Sequence, residues 1–379
     1  MVLSYFLYGG DCMAKTIKDL HSALANVVTS MAGKNNDITY SKTNFLSDTI
    51  PQVPVVMPNT STSLRRFKAK LGIAQWWITG SGNRYYSRSV AQMKEDIDRF
   101  SSMGIEEMTL CIHMGRDKST GEWYMIHSKE DMLTAYNYAA TKGIRCNVLK
   151  FMVYDSTARS NMKTDWTNCK AALTSNITSY CSYFKNNGCE FDCVIVLNEM
   201  PGLYIGSSYV DDIKSLLAIP KTYGYNASMS LTNPLEFYQM TSRLRDAMDT
   251  YCINIYPNLS YIGNRTSLED ATRGWDRFVH DLRGIKQRYP GKAIIVTETG
   301  CQDRWEALSC PGKFNWTTDY PNTSLGDAPA LFLQGIFESG IDEVVKSVNW
   351  WFYDSLYDNT GTIYPQVEKV IKMYIKGVY

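Results

Sequence analysis

Two glutamates close two apolar runs, and their placement sets the chemistry available to this chain. The first run is Phe191-Asp192-Cys193-Val194-Ile195-Val196-Leu197, followed by Asn198-Glu199; the second is Ala293-Ile294-Ile295-Val296-Thr297, followed by Glu298-Thr299-Gly300. Each run has a buried strand's length and β-branched content, so each carboxylate is expected at a strand's C-terminal end. In a parallel α/β barrel that end is the catalytic face. Two carboxyl groups facing each other there suit cleavage of an acetal. One protonates the leaving oxygen and the other attacks the anomeric carbon, at a separation of about 5–5.5 Å. Their surroundings must also hold their pKa values apart.

The elements that must position this pair form a strand-then-helix alternation, repeated eight times from residue 68 onward. The expected strands are Leu71–Trp76, Glu107–His113, Arg145–Val153, a run ending at Glu199, Asn226–Leu231, Tyr251–Tyr256, a run ending at Glu298, and Ser347–Phe352. Between them, Val90, Met93, Ile97 and Phe100 recur at helical spacing after a Ser89-x-x-Gln92 capping box. Helices are also expected over Lys129–Thr141, Asp165–Lys185, Tyr209–Leu217, Pro234–Met248, Ala328–Glu338 and Pro365–Ile375. Another follows the Ser267-x-x-Asp270 cap, with Trp275, Phe278, Val279, Leu282 and Ile285 on one face. Strands that read as continuous apolar runs are parallel strands covered by helices. A doubly wound open sheet would show a Gly-rich turn after its first strand, and none is present. The expected fold is therefore α/β, a (β/α)8 TIM barrel over residues 68–379, preceded by an N-terminal extension over 1–67. Strands four and seven of such a barrel lie nearly opposite each other, so their terminal carboxylates face across the mouth.

On these residues the chain resembles the clan A glycoside hydrolases, which carry catalytic glutamates on strands four and seven. The resemblance covers 68–379 and rests on motifs in order along the chain. Asn198-Glu199 looks like the clan's Asn-Glu pair, which implies Glu199 as acid/base and Asn198 as a contact to the sugar 2-hydroxyl. Glu298 matches the nucleophile's position. Tyr256, in Asn254-Ile255-Tyr256-Pro257, resembles the strand-six tyrosine that hydrogen-bonds the nucleophile. Trp350, in Asn349-Trp350-Trp351, resembles the strand-eight tryptophan beneath the reacting sugar. Alternation along a strand forbids Trp350 and Trp351 from facing the mouth equally, and Trp350 is taken as the platform. His113 and Arg116 end strand two, where relatives place a basic or imidazole group. Gln75, Trp76 and Trp77 end strand one, with Trp76 a subsite candidate. Lys150 and Tyr154 depart from the histidine that several relatives carry near the end of strand three. The long loop over 301–323 carries Trp305, Trp316 and Tyr320, with Trp305 expected to line the cleft. The implied activity is retaining hydrolysis of β-glycosidic bonds in an oligo- or polysaccharide, with no cofactor and no metal. The alternative is a non-catalytic carbohydrate-binding barrel of an attachment or particle-associated protein.

Composition narrows the partners. A net charge of +1 gives no electrostatic footprint for nucleic acid or an anionic membrane surface. Among ten cysteines, Cys111, Cys146, Cys193 and Cys252 fall in strands and read as small buried hydrophobes, while Cys301 and Cys310 flank a loop where a disulfide stays open. The apolar start Met1–Tyr8 lacks a basic region and a cleavage site, so no signal peptide is assigned, and no run reaches a membrane span. Lys15–Gly33 reads as a helix, followed by a Ser/Thr/Asn/Pro-rich tract to Ser63. That arm reads either as a disordered leader or as a segment docking the barrel to a larger assembly.

Overall fold

The β-branched runs become strands where burial demands it. The computed structural model of the chain describes residues 66–377 except 81, 155, 207, 260–266, 314–323 and 352. The strands β1 (Lys70–Ala74), β2 (Glu107–Arg116), β3 (Arg145–Val153), β4 (Cys193–Asn198), β5 (Ala227–Leu231), β6 (Tyr251–Asn254), β7 (Ile294–Thr299) and β8 (Ser347–Trp350) all run parallel. Sequential strands are neighbours, and β1 pairs with both β2 (Gly72 opposite Glu107) and β8 (Lys70 opposite Ser347). The sheet is thus a closed eight-stranded barrel. A short antiparallel strand, Trp123–Met125, extends the far end of β2, and a two-residue hairpin pairs Ile78–Thr79 with Tyr86–Ser87.

Helices α1 (Val90–Met103), α2 (Lys129–Thr141), α3 (Trp166–Asn186), α4 (Val210–Thr222), α5 (Pro234–Gln239), α6 (Leu268–Arg288), α7 (Asp327–Glu338) and α8 (Pro365–Ile371) follow the strands in turn. Both expected capping boxes form. Ser89 accepts from the Gln92 amide while the Gln92 side chain accepts from the Ser89 amide, and Ser267 and Asp270 do the same for α6. The single helix expected over Pro234–Met248 is instead two, α5 and Ser242–Ala247, because Met240 adopts extended backbone. Arg245 reaches back to the carbonyls of Phe237 and Met240, satisfying acceptors that the break exposes. Helix α8 passes into a π turn at Lys372–Lys376 rather than continuing as α-helix to Ile375.

The apolar interior is divided by the barrel wall. Inside it, Val148, Cys193, Ile195, Cys252 and Ile295 form a small plug. Outside it, a continuous layer between strands and helices includes Phe100, Trp275, Phe332, Trp350 and Tyr374. Polar side chains from several strands gather on either side of this plug, at the C-terminal mouth and, through Glu107, Asn147 and Ser347, at the opposite end. The four strand cysteines are free and buried, as their setting implied. Cys301 is also a free buried thiol while Cys310 is disulfide-bonded, so these two do not pair with each other. The N-terminal helix and linker expected before residue 64 lie outside the described residues. No helix among the described residues is long and apolar enough to cross a membrane.

Candidate functional site

A regular strand sends successive side chains to opposite faces, yet β7 sends two in a row inward. Thr297 faces the barrel interior, where its Oγ1 donates to Asn254 Oδ1 at 2.6 Å. Regular pleating would turn Glu298 outward into the helix layer. Instead the ladder shifts register between Val296 and Glu298 on the β6 side and between Val296 and Thr299 on the β8 side. Such a bulge re-aims a side chain, and Glu298 points inward beside its neighbour. Strand β4 shifts register in the same way between Ile195 and Asn198. Directly after it, Glu199 adopts φ 51°, left-handed backbone that a residue with a Cβ enters at a cost of order 1–3 kcal/mol. Both expected carboxylates therefore sit at local distortions of the barrel rim.

Glu298 is 3% exposed and held on both oxygens. Lys150 Nζ, from β3, lies 2.5 Å from Oε1, and the Tyr256 hydroxyl donates to Oε2 at 3.0 Å. Burial pushes the Glu298 carboxyl above its usual pKa; the Lys150 ammonium pulls it down, and the charge of Glu199 pushes it up again. Burial, then the charges of Glu298 and Glu199, also drive the Tyr256 phenol well above its usual value, so it stays a neutral donor. The Glu199 charge thus acts on both Tyr256 and Glu298. Arg159, from the helix Ser156–Thr164, donates to the Glu199 carbonyl at 2.7 Å and lies 3.5 Å from its carboxylate.

Asn254 ties these groups together. Its Oδ1 accepts from Thr297 and from Ser230 Oγ (2.9 Å), and lies 3.5 Å from Lys150 Nζ; its amide donates to Asn198 Oδ1 at 3.4 Å. The hub joins β3, β4, β5, β6 and β7 in one buried polar network. Neither Lys150 nor Asn254 was anticipated as a site residue. The signal was nonetheless present: a lysine within the apolar run of β3 has to find a carboxylate, since an unpaired buried charge is prohibitive.

The aromatic candidates separate into mouth and core. Trp350 is fully buried and meets Phe332 of α7 edge-on at 5.5 Å, so the expected platform is a core residue. On β8, Ser347 points inward, bonding Asn147 inside the barrel, and the alternation then carries Trp350 outward and Trp351 inward. Trp351 packs against Trp76 (ring centroids 5.5 Å apart) and Tyr256 (6.2 Å), at the mouth. Trp76 is partly exposed, whereas Trp77 is fully buried with its Nε1 donating to Asp96 at 3.0 Å. Trp305 is only 4% exposed and packs within the core layer, which corrects its expected place on the cleft surface. Trp316 and Tyr320 lie outside the described residues. Arg116 turns to Asp165, 3.5 Å away, rather than to the carboxylate pair. His113 is fully buried beneath Trp76, at a centroid distance of 4.9 Å, with its Nδ1 2.9 Å from His127 Nε2. Among the described residues no cluster of His, Cys, Asp and Glu is arranged to hold a metal ion.

The backbone strain gives a stability test. Glu199→Gly should stabilise the fold by about 1 kcal/mol, because glycine enters φ > 0 without penalty, whereas Glu199→Ala should keep most of the strain. Urea unfolding of the two variants beside the parent protein measures the difference. A Glu199→Gly variant no more stable than Glu199→Ala would place the strain elsewhere.

No family model matches the chain, and no curated protein matches its sequence. Solved structures do match. A GH113 beta-1,4-mannanase is 17% identical with a TM-score of 0.62, over 83% of this chain and 100% of that one. The GH113 beta-mannanase of Alicyclobacillus acidocaldarius is 15% identical with a TM-score of 0.57, over 82% and 97%. A β-glucuronidase from Ruminococcus gnavus is 12% identical with a TM-score of 0.52, over 82% of this chain and 49% of that one. The shared feature is the parallel eight-stranded barrel, and at these identities the likeness shows the fold.

Proposed function

We propose that the protein is a retaining glycoside hydrolase that cleaves β-glycosidic bonds of an oligo- or polysaccharide by double displacement. The observation that carries this reading is the buried Glu298 carboxylate, held by Lys150 and Tyr256 at the end of β7, within electrostatic reach of Glu199 at the end of β4. Glu298 attacks the anomeric carbon and forms a glycosyl ester as the bond to the leaving oxygen breaks. Glu199 gives that oxygen its proton, then removes a proton from the incoming water, whose oxygen displaces Glu298. Two inversions leave the product with the substrate's β configuration. Asn198, anchored by Asn254, reaches the sugar 2-hydroxyl, and Trp351 and Trp76 supply the apolar surface against which the ring sits. A purely sugar-binding barrel has no use for a desolvated carboxylate wedged between an ammonium and a phenol, whose burial costs desolvation free energy.

The solved neighbours include enzymes named for mannan, galactan and glucuronide substrates, so β-linked mannan and galactan belong in the first substrate panel. Proton NMR of the fresh digest should show the β-anomer of the new reducing end first, with the α-anomer appearing only by mutarotation. An α-anomer formed first would exclude double displacement, and a panel left uncut would exclude hydrolysis of its glycans.

A further inference from the structure

The strained backbone at Glu199 is held by a side chain from another loop. Glu199 is one of two non-glycine residues at positive φ among the described residues. Such a conformation persists only where its neighbours over-determine it. Three contacts do so here. The Glu199 N–H donates to the Ser230 carbonyl of β5 at 2.9 Å. Tyr204, in the turn Pro201–Tyr204 that follows, donates from its buried hydroxyl to Glu236 of α5 at 2.7 Å. Both of these anchors lie on the β5 side of the residue. The third comes from the β3 side. The short helix Ser156–Thr164 is seated by its buried Ala158 and Met162, and Arg159 donates from one guanidinium nitrogen to the Glu199 carbonyl at 2.7 Å. The other terminal nitrogen lies 3.5 Å from Glu199 Oε2. One planar fork thus spans the backbone and the carboxylate of the same residue, which a point-like ammonium does not.

We infer that Arg159 is a positioning residue for proton transfer, locking the Glu199 backbone in its left-handed conformation and aiming the carboxyl group at the leaving oxygen. This rests on the proposed glycosidase reading and adds a residue to it. An arginine has only donors, so the carboxyl oxygen it faces stays an acceptor, and the proton that Glu199 carries is left to Oε1. Without Arg159 the Glu199 carbonyl loses its donor, φ relaxes toward negative values, and the side chain leaves the line of the scissile bond. A displacement of about 1 Å near the reacting atoms costs on the order of 10²-fold in rate. The nucleophile is untouched, because Glu298 is held separately by Lys150 and Tyr256. The loss therefore falls on proton transfer.

Substrates with different leaving groups separate proton transfer from the rest of the reaction. On an unactivated β-glycan, Arg159→Ala in the full-length protein should lower kcat/KM roughly 10- to 100-fold. On an aryl β-glycoside whose leaving group needs no proton, the fall should be about threefold at most. Arg159→Lys keeps the charge but not the fork and should lose nearly as much on the glycan; it serves the same comparison should Arg159→Ala not fold. In a Glu199→Gln background, Arg159→Ala should cost no more than about a further twofold on the glycan, since its effect passes through Glu199. Backbone amide exchange reads the clamp without turnover. In Arg159→Ala, exchange across residues 199–204 should quicken roughly tenfold while the β7 segment carrying Glu298 keeps its protection. A parent protein that cuts neither substrate, with residues 199–204 still loosened in Arg159→Ala, would end the hydrolase reading and leave the clamp standing. Equal losses on the two substrates, full activity in Arg159→Lys, an undiminished loss in the Glu199→Gln background, or unchanged exchange across 199–204 would each overturn the inference.

Discussion

Glu298→Ala should lower hydrolysis on the order of 10⁴-fold or more, the scale seen when a covalent nucleophile is removed and only binding and electrostatics remain. The argument is geometric. Glu298 is the buried carboxylate whose two oxygens are fixed from two sides, by Lys150 and by Tyr256, and a nucleophile needs such fixation to meet an anomeric carbon at attack distance. The variant leaves a small space lined by the Lys150 ammonium, which a small anion can enter. Added azide should therefore restore turnover of an activated aryl β-glycoside and yield the α-glycosyl azide, a single inversion. The companion change Glu199→Gln should cost about 10²–10⁴-fold on unactivated glycans, but far less for glycosylation by an aryl glycoside whose leaving group needs no proton. Initial rates on the two substrate types separate the roles. Equal losses on both for Glu199→Gln, or azide acting on that variant's first step, would reverse the assignment of the two glutamates.

Much of the barrel was legible because its strands are buried on both faces and so read as continuous apolar runs, with helices marked by caps such as Ser89-x-x-Gln92 and Ser267-x-x-Asp270. Arg145–Val153 appears over the span expected for it. The misreadings have local causes. A helix spanning Met240 was expected because hydrophobic spacing does not register a backbone break satisfied by a distant Arg245 guanidinium. The hairpin Ile78–Thr79 with Tyr86–Ser87 and the strand Trp123–Met125 are too short to carry a period. Bulges mattered most at the site. Periodicity could place Glu298 at a strand end, but regular pleating would have faced it away from the barrel interior, and only the register shift turns it inward. The same parity argument was available for the Trp350-Trp351 pair. Anchoring it on Ser347 as an inward residue would have selected Trp351, but nothing local in the sequence says that Ser347 faces Asn147 across the barrel. Lys150 was legible as an oddity and not as a partner, because its pairing with Glu298 joins residues 148 positions apart.

Lys150→Met should be the most disruptive change outside the two glutamates, and its effect should depend on pH in a defined direction. In the parent protein the Lys150 ammonium opposes the burial and the Glu199 charge that raise the Glu298 pKa. Without it only the Tyr256 hydrogen bond offsets them, and that pKa rises further. Glu298 must be ionised to attack, so the acidic limb of kcat/KM should move to higher pH, with activity recovering as pH rises. The stability consequence follows from linkage. A carboxyl whose folded pKa lies above its unfolded value binds more protons in the native state, so stability falls as pH rises from the unfolded pKa through the folded one. That fall should be larger in Lys150→Met, and the variant's deficit relative to the parent should be smallest in acid, where Glu298 is neutral and the parent's own Lys150 has lost its partner. At neutral pH the deficit should approach the roughly 3–5 kcal/mol typical of breaking a buried ion pair from one side. Urea unfolding across pH and a kcat/KM profile measure the two effects independently. An acidic limb that stays in place while stability drops would make Lys150 a structural residue only. A limb displaced upward together with a deficit that grows with pH would establish that its charge acts on the reacting carboxylate.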